Sequence, residues 1–151
     1  MSHIDRLHKL VQRLSFLGPT LARLTVGLVF LHSGWGKLHN LPDVIKYFGE
    51  DLHIPAPGLN ARLAASTEFL GGLLVLLGLA TRVAVLPMAF TMVIAILTAK
   101  RPEIDGVWTF VGFEEWTYIV IFVWLAVAGP GPLSVDRLIE KKLHAHETVH
   151  A

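Results

Sequence analysis

Four stretches of the chain are apolar around the whole helical circumference, and the polar residues collect between them. They are residues 19–38, 61–80, about 83–99 and about 115–128. A helix at the surface of a soluble domain keeps a polar face, so runs this long without one predict helices surrounded by other apolar matter. About 20 residues span the ~30 Å hydrocarbon layer of a bilayer, and each stretch is near that length, the fourth being somewhat short. The pattern predicts an all-α membrane protein, a four-transmembrane-helix bundle. Its punctuation agrees. Pro19 suits the first turn of a helix, where its missing N–H costs nothing. Thr81 and Arg82 make a tight connection, Pro87 is placed to kink the third span, and Gly129-Pro130-Gly131-Pro132 stops the fourth.

Shorter segments carry mixed patterns. In residues 1–18, Ile4, Leu7, Val11 and Leu14 share a helical face, and Asp5, Arg6, Lys9, Gln12 and Arg13 cover the rest. This is the pattern of an amphipathic helix lying at the membrane surface. A cleaved signal peptide is disfavoured, because Arg23 interrupts the apolar core and no small-residue cleavage site follows. In residues 42–52, Val44, Ile45, Phe48 and Leu52 predict a second interfacial helix, in the first outer loop, ahead of the rigid Ile54-Pro55-Ala56-Pro57-Gly58 turn. Ser134 is a good N-cap for a tail helix through Leu143, and the last residues are expected to fray. The organisation is thus an amphipathic segment at 1–18, a transmembrane domain at 19–130 and a tail at 131–151.

Composition sharpens this. The 151 residues are 53% hydrophobic and 17% charged, where soluble domains run nearer a quarter charged. The formal net charge of +1 and the scattered basic residues give no reason to expect a nucleic-acid partner. Cysteine is absent, which removes disulfides, thiol catalysis and iron–sulfur ligation by the chain. Arg6, Lys9, Arg13, Arg82, Arg137, Lys141 and Lys142 would share one side of the membrane and Lys37, Lys46, Arg62, Lys100 and Arg101 the other. That bias, with Trp35, Trp108, Trp116 and Tyr118 near the second boundary, predicts cytoplasmic termini in a plasma (inner) membrane protein.

An ionisable group within a span is costly and normally turns inward to a partner. Glu68 is the strongest case. Its helical neighbours Ala64, Ala65, Gly71 and Gly72 are small, as at a closely packed interface, so the carboxylate is expected inside the bundle. It serves there either as half of a structural ion pair or as a proton- or ligand-binding group. His32, at nearly the same depth on the first span, and Lys37, shallower but long-stemmed, are its candidate partners. Arg23, Gly27, Phe30, Gly34 and Lys37 share one face, with Gly27 and Gly34 permitting close approach. Arg23 either joins the interior or snorkels to the headgroups. Haem is disfavoured, since no second span offers a histidine opposite His32; His144, His146 and His150 could bind a metal loosely, but a disordered end is the preferred reading and no metal site is expected. Phosphate-binding, dinucleotide, zinc-protease and serine-hydrolase motifs are missing.

Several of these residues fall into a familiar order. Arg23 with Phe30 leads to Ser33-Gly34-Trp35-Gly36-Lys37-Leu38, and Tyr47-Phe48 to Ile54-Pro55-Ala56-Pro57. Glu68-Phe69-Leu70-Gly71-Gly72 runs into Leu77-Gly78-Leu79-Ala80-Thr81-Arg82, and Gly129-Pro130-Gly131-Pro132-Leu133-Ser134-Val135-Asp136-Arg137 closes the set. Over roughly residues 20–138 the chain resembles the DoxX family of small bacterial membrane proteins. The resemblance implies four inner-membrane helices and singles out Arg23, Lys37, Glu68 and Arg82. Some relatives are associated with thiosulfate:quinone oxidoreduction and others with oxidative or sulfur stress. It therefore implies a membrane subunit of a redox system, with a quinone as candidate cofactor and a redox protein as candidate partner. Two alternatives remain open: a non-catalytic assembly protein, and a small proton-coupled transporter, which with four spans would need a homodimer.

Overall fold

The computed structural model describes residues 3–147, and the side chains of residues 8, 9 and 11–142 within them. The expected apolar contribution of Ile4 and Leu7 therefore lies outside the described side chains, as do His144 and His146. His150 and the expected fraying of the last residues lie outside the described chain.

The described residues are helical almost throughout. Helix α1 (His3–Leu14) is separated by Ser15 and Phe16 from α2 (Leu17–His39). Pro19 sits in the first turn of α2, where backbone N–H groups have no helical partner to lose. Helix α3 (Leu41–Lys46) runs into a π-helical turn (Tyr47–Asp51), which completes the helical segment expected at 42–52. Helix α4 (Pro57–Leu77) starts on the rigid proline turn and ends earlier than the second apolar stretch does. The reason is Gly78, whose φ of 69° turns the chain into the left-handed region that other residues resist. The Leu79 N–H then reaches back to the Leu74 carbonyl at 2.9 Å and closes the helix end.

Helix α5 (Thr81–Ala95) contains Pro87 and continues as a π-helical turn (Ile96–Lys100) and a 3-10 turn (Arg101–Glu103). Helix α6 (Val107–Gly112) is an element that hydropathy patterning passes over. It is one short turn and a half within what reads as a charged loop, and Phe110 stacks on Trp116 with ring centroids 4.9 Å apart. Helix α7 (Glu114–Ala128) is stopped by Gly129 at φ 81° and the prolines beyond it. Helix α8 (Val135–Glu147) follows. The Ser134 hydroxyl accepts from the Arg137 N–H at 3.3 Å, as an N-cap does.

α2 packs along α4, and α5 along α7; the two pairs meet chiefly where α4 faces α5. The first seam is built on glycines. A Cβ on Gly27 would lie 2.8 Å from the Leu76 backbone, one on Gly34 2.6 Å from the Phe69 Cα, and one on Gly72 2.9 Å from the Phe30 carbonyl carbon. Gly71 faces the other way, against Met88 of α5. The centre is filled by Val26, Phe30, Val75, Val85, Met88, Phe122 and Leu125. There Phe30 meets Tyr118 and Phe122 edge-on, each at 5.1 Å.

Among the described residues, two helical stretches are long and apolar enough to cross a membrane: Val11–His39, of mean hydropathy 1.6, and Thr81–Glu103, of mean hydropathy 2.0. Only 28% of the most apolar 18 residues of each are buried by the protein itself, so most of these residues keep contact with their surroundings, the reverse of a soluble core helix. Leu28, Leu70, Leu86, Phe90 and Val127 are among the large side chains standing more than half exposed. A monomeric soluble protein rarely exposes apolar surface on that scale. Burial by lipid accounts for it.

Candidate functional site

Away from the tight Gly78–Ala80 turn, the seam between α4 and α5 opens into a cavity of about 820 Å³. α4 contributes Leu63, Ala64, Thr67 and Glu68. α5 and its π-turn contribute Pro87, Phe90, Thr91, Ile94, Ala95 and Thr98. α2 supplies Phe30, Ser33 and Lys37; α7 supplies Glu114, Glu115 and Tyr118; Tyr47, Phe48, Leu52 and Ile54 cover the end. Both π-helical turns border this space. Such turns are rare and recur at functional sites, because the widened ring re-aims the neighbouring side chains. Leu63 and Phe90 line the cavity and are also more than half exposed on the outer surface. The cavity therefore opens sideways, between α4 and α5.

The polar corner is built by α2 and α4. Glu68 is 4% exposed, and Lys37, four residues beyond Ser33 on the same face of α2, forms an ion pair with Glu68 Oε2. Lys37 Nζ also donates to Ser33 Oγ at 2.8 Å, and Ser33 Oγ donates to the same Glu68 Oε2 at 2.9 Å. Two donors thus converge on one carboxylate oxygen and are bonded to each other. Glu68 Oε1 has no hydrogen-bond partner among the described residues, although Glu68 faces the cavity. Glycine makes this possible: Gly34, beside Ser33, brings α2 against Phe69, beside Glu68, so that short side chains span the gap.

The other residues singled out by the sequence go elsewhere. His32 is exposed, on a stripe with Leu28 and Trp35. Its depth matches that of Glu68 but its direction does not, because one residue along a helix is a rotation of about 100°. Arg23 does not snorkel. It is 4% exposed and donates from Nη2 to the Leu133 carbonyl at 2.6 Å and from Nη1 to the Pro130 carbonyl at 3.3 Å. Arg82 is exposed and lies against Gly129, beside a groove shared with Asp136 and Arg137. These two arginines belong to the opposite end of the bundle.

That end is a polar clasp. The Asp136 carboxylate accepts the backbone N–H of Ala80 at 2.8 Å and of Thr81 at 3.4 Å, capping α5 from a distance. The Asp136 N–H in turn donates to the Gly78 carbonyl at 3.0 Å. The residues around Gly78, Gly129 and Asp136 therefore tie the tail to the bundle, apart from the cavity. Sequence reasoning overlooked two participants, Ser33 and Asp136. Ser33 carried a usable signal, its spacing of four from Lys37 on the glycine-lined face. Asp136 stood in the Gly129–Arg137 string, but nothing pointed to its role, since its partners lie 55 and 56 residues away.

Described residues that are helical almost throughout, with many large apolar side chains exposed and a buried carboxylate paired to a lysine, are those of a helical membrane protein. Comparison with known proteins gives the family. The DoxX pattern matches residues 18–101, and the chain belongs to the DoxX family. It is 32% identical over 133 residues to "Inner membrane protein YqjF" of Escherichia coli K12, covering 87% of this chain and 99% of that one. It is 32% identical over 127 residues to "Putative oxidoreductase CatD" of Bacillus subtilis 168, covering 83% and 89%. It is 32% identical over 124 residues to "Inner membrane protein YphA" of Escherichia coli K12, covering 78% and 86%. No solved structure matches it. The chain is thus a DoxX-family membrane protein related to proteins of the inner membrane.

Proposed function

We propose that this protein crosses the inner membrane four times, with α2, α4, α5 and α7 as its spans and both termini cytoplasmic. We propose further that it binds a lipid-soluble quinone in the α4–α5 cavity as part of a membrane redox system. The single observation that carries the reading is the uncommitted Oε1 of Glu68 at the inner wall of an otherwise mostly apolar cavity. A volume of about 820 Å³ lies within the ~300–1,000 Å³ typical of small-molecule sites, which pair apolar walls with a few placed polar groups. The sideways opening suits a ligand whose apolar tail stays in lipid while its head reaches Glu68, Ser33 and Lys37.

Redox participation has a further support in the relative named "Putative oxidoreductase CatD". A chain without cysteine supplies no thiol redox centre of its own, so electrons would pass between the bound quinone and a partner protein. The four-span reading includes α4, which Arg62 and Glu68 make less hydrophobic, and α7, whose 15 residues reach only about 22 Å. The basic residues of α1 and α8, with Arg82, favour cytoplasmic termini.

The test is mass spectrometry of small molecules retained by the full chain purified in lipid nanodiscs. A stoichiometric quinone is expected in the parent and in Leu70→Trp, which alters the outer surface. It should be lost in Ala64→Trp, which fills the cavity. Phospholipid alone in all three would overturn the quinone reading and favour an assembly role.

A further inference from the structure

The hydrogen-bond valence of the polar corner decides which oxidation state of such a ligand it accepts. The Ser33 hydroxyl has one proton, and it is already given to Glu68 Oε2. The Lys37 ammonium has three N–H donors, of which two are engaged, by Ser33 Oγ and Glu68 Oε2. Of the other polar groups lining the cavity, the Thr91 hydroxyl is committed to the Met88 carbonyl at 2.7 Å and one Asn60 Nδ2 N–H to the Pro55 carbonyl at 2.7 Å, while the Thr67 and Tyr118 hydroxyls belong to the wall outside the Ser33–Lys37–Glu68 corner. Within the Ser33–Lys37–Glu68 set, what remains free is one N–H donor of Lys37 and one carboxylate acceptor, Glu68 Oε1.

An oxidised quinone carries two carbonyl oxygens. It can accept from Lys37 but has nothing to give Oε1, so its head would cover a buried anionic acceptor and leave it unpaired. A hydroquinone carries O–H groups, each both donor and acceptor. We propose that the cavity selects the reduced form of its ligand, a hydroquinone whose O–H donates to Glu68 Oε1 while the same oxygen accepts the third N–H of Lys37. This rests on the quinone-site reading and adds a direction to it. A site that holds the reduced form more tightly shifts the equilibrium of quinone, two electrons and two protons toward hydroquinone. Each tenfold of preference raises the reduction potential of the bound couple by about 30 mV.

The experiment measures equilibrium binding to the full chain in neutral-phospholipid nanodiscs, under anaerobic conditions, with empty nanodiscs as the partition blank. The probes are decyl-hydroquinone, decyl-benzoquinone and the dimethyl ether of decyl-hydroquinone, which keeps the ring and tail but has no donor. Hydroquinone is expected to bind about tenfold or more tighter than either other probe, as a charge-assisted hydrogen bond would give. Because that comparison is made on the parent protein, it does not depend on any variant folding. In Glu68→Gln the preference should collapse to within about threefold, because the amide lacks the carboxylate acceptor for the hydroquinone O–H and can itself donate to a quinone carbonyl. Equal binding of hydroquinone and quinone by the parent would overturn this selectivity and leave the quinone site standing. If no probe binds above the empty-nanodisc blank, both proposals fall.

Discussion

Arg23 and Leu133 are 110 residues apart in the chain and 2.6 Å apart in the fold, joined by a guanidinium-to-carbonyl hydrogen bond. With the second bond to Pro130, this arginine satisfies carbonyls of a proline-broken turn that cannot satisfy themselves. It is a charged residue within the bundle whose work is structural. Arg23→Ala should cost about 3 kcal/mol, since it removes charged hydrogen bonds and strands the carbonyls they served. Arg23→Lys should recover only part of this, because an ammonium lacks the planar fork that reaches two acceptors. Thermal unfolding in nanodiscs should rank them parent, lysine, alanine. An alanine variant as stable as the parent would show that the clasp does not hold the bundle.

Asp136 makes the same junction from the other side. Its carboxylate caps α5, a helix whose own N-cap position is filled by Ala80, which has no side chain for the task. Asp136→Ala should lower stability by about 1 kcal/mol, in the range of a lost helix cap. It should loosen the tail first: amide exchange is expected to rise at Ala80 and Thr81 and along α8, with the α2–α4 seam unaffected.

Two glycines on α2, two residues apart, should respond oppositely to alanine. A Cβ on Gly34 would run into the backbone of Phe69, whereas one on Gly36 would meet nothing within 4 Å. Gly36→Ala should be neutral or stabilise by up to about 1 kcal/mol, the ordinary gain in helix propensity. Gly34→Ala must push α2 away from α4. It should cost several times that amount and disturb the Ser33–Glu68 contact, read as lowered unfolding temperature together with weakened ligand retention.

These contrasts mark how far the sequence could be read. The helices themselves were legible because hydropathy reports burial by any apolar medium, lipid or protein. Glu68 was legible as an inward group because small neighbours on its helix announce a close partner. The pairing was only half legible. Depth along a span follows from counting, and it put His32 level with Glu68; azimuth decides contact, and it turned His32 outward and Ser33 inward. The short α6 was invisible because six residues beside acidic neighbours carry too little pattern. The tail clasp was present as a string resembling the family's, Gly129 to Arg137, without a visible purpose, since its partners Arg23, Gly78 and Ala80 lie far away in sequence.

The Lys37–Glu68 pair allows stability and function to be separated. Removing one partner of a buried ion pair leaves an uncompensated charge, at about 3–5 kcal/mol when both are fully buried. Here Lys37 keeps 30% of its side chain exposed, so solvent offsets part of that cost, and Lys37→Met should destabilise by about 2 kcal/mol. Replacing both, Lys37→Met with Glu68→Leu, removes the stranded charge and should restore most of the lost stability. Ligand retention should follow a different rule: the double variant, stable again, should bind no better than the single one, because both the acceptor and the donor are gone. A double-mutant cycle read by unfolding temperature and by ligand retention distinguishes the two roles. If retention returns along with stability, the pair is a structural brace and the ligand is held elsewhere.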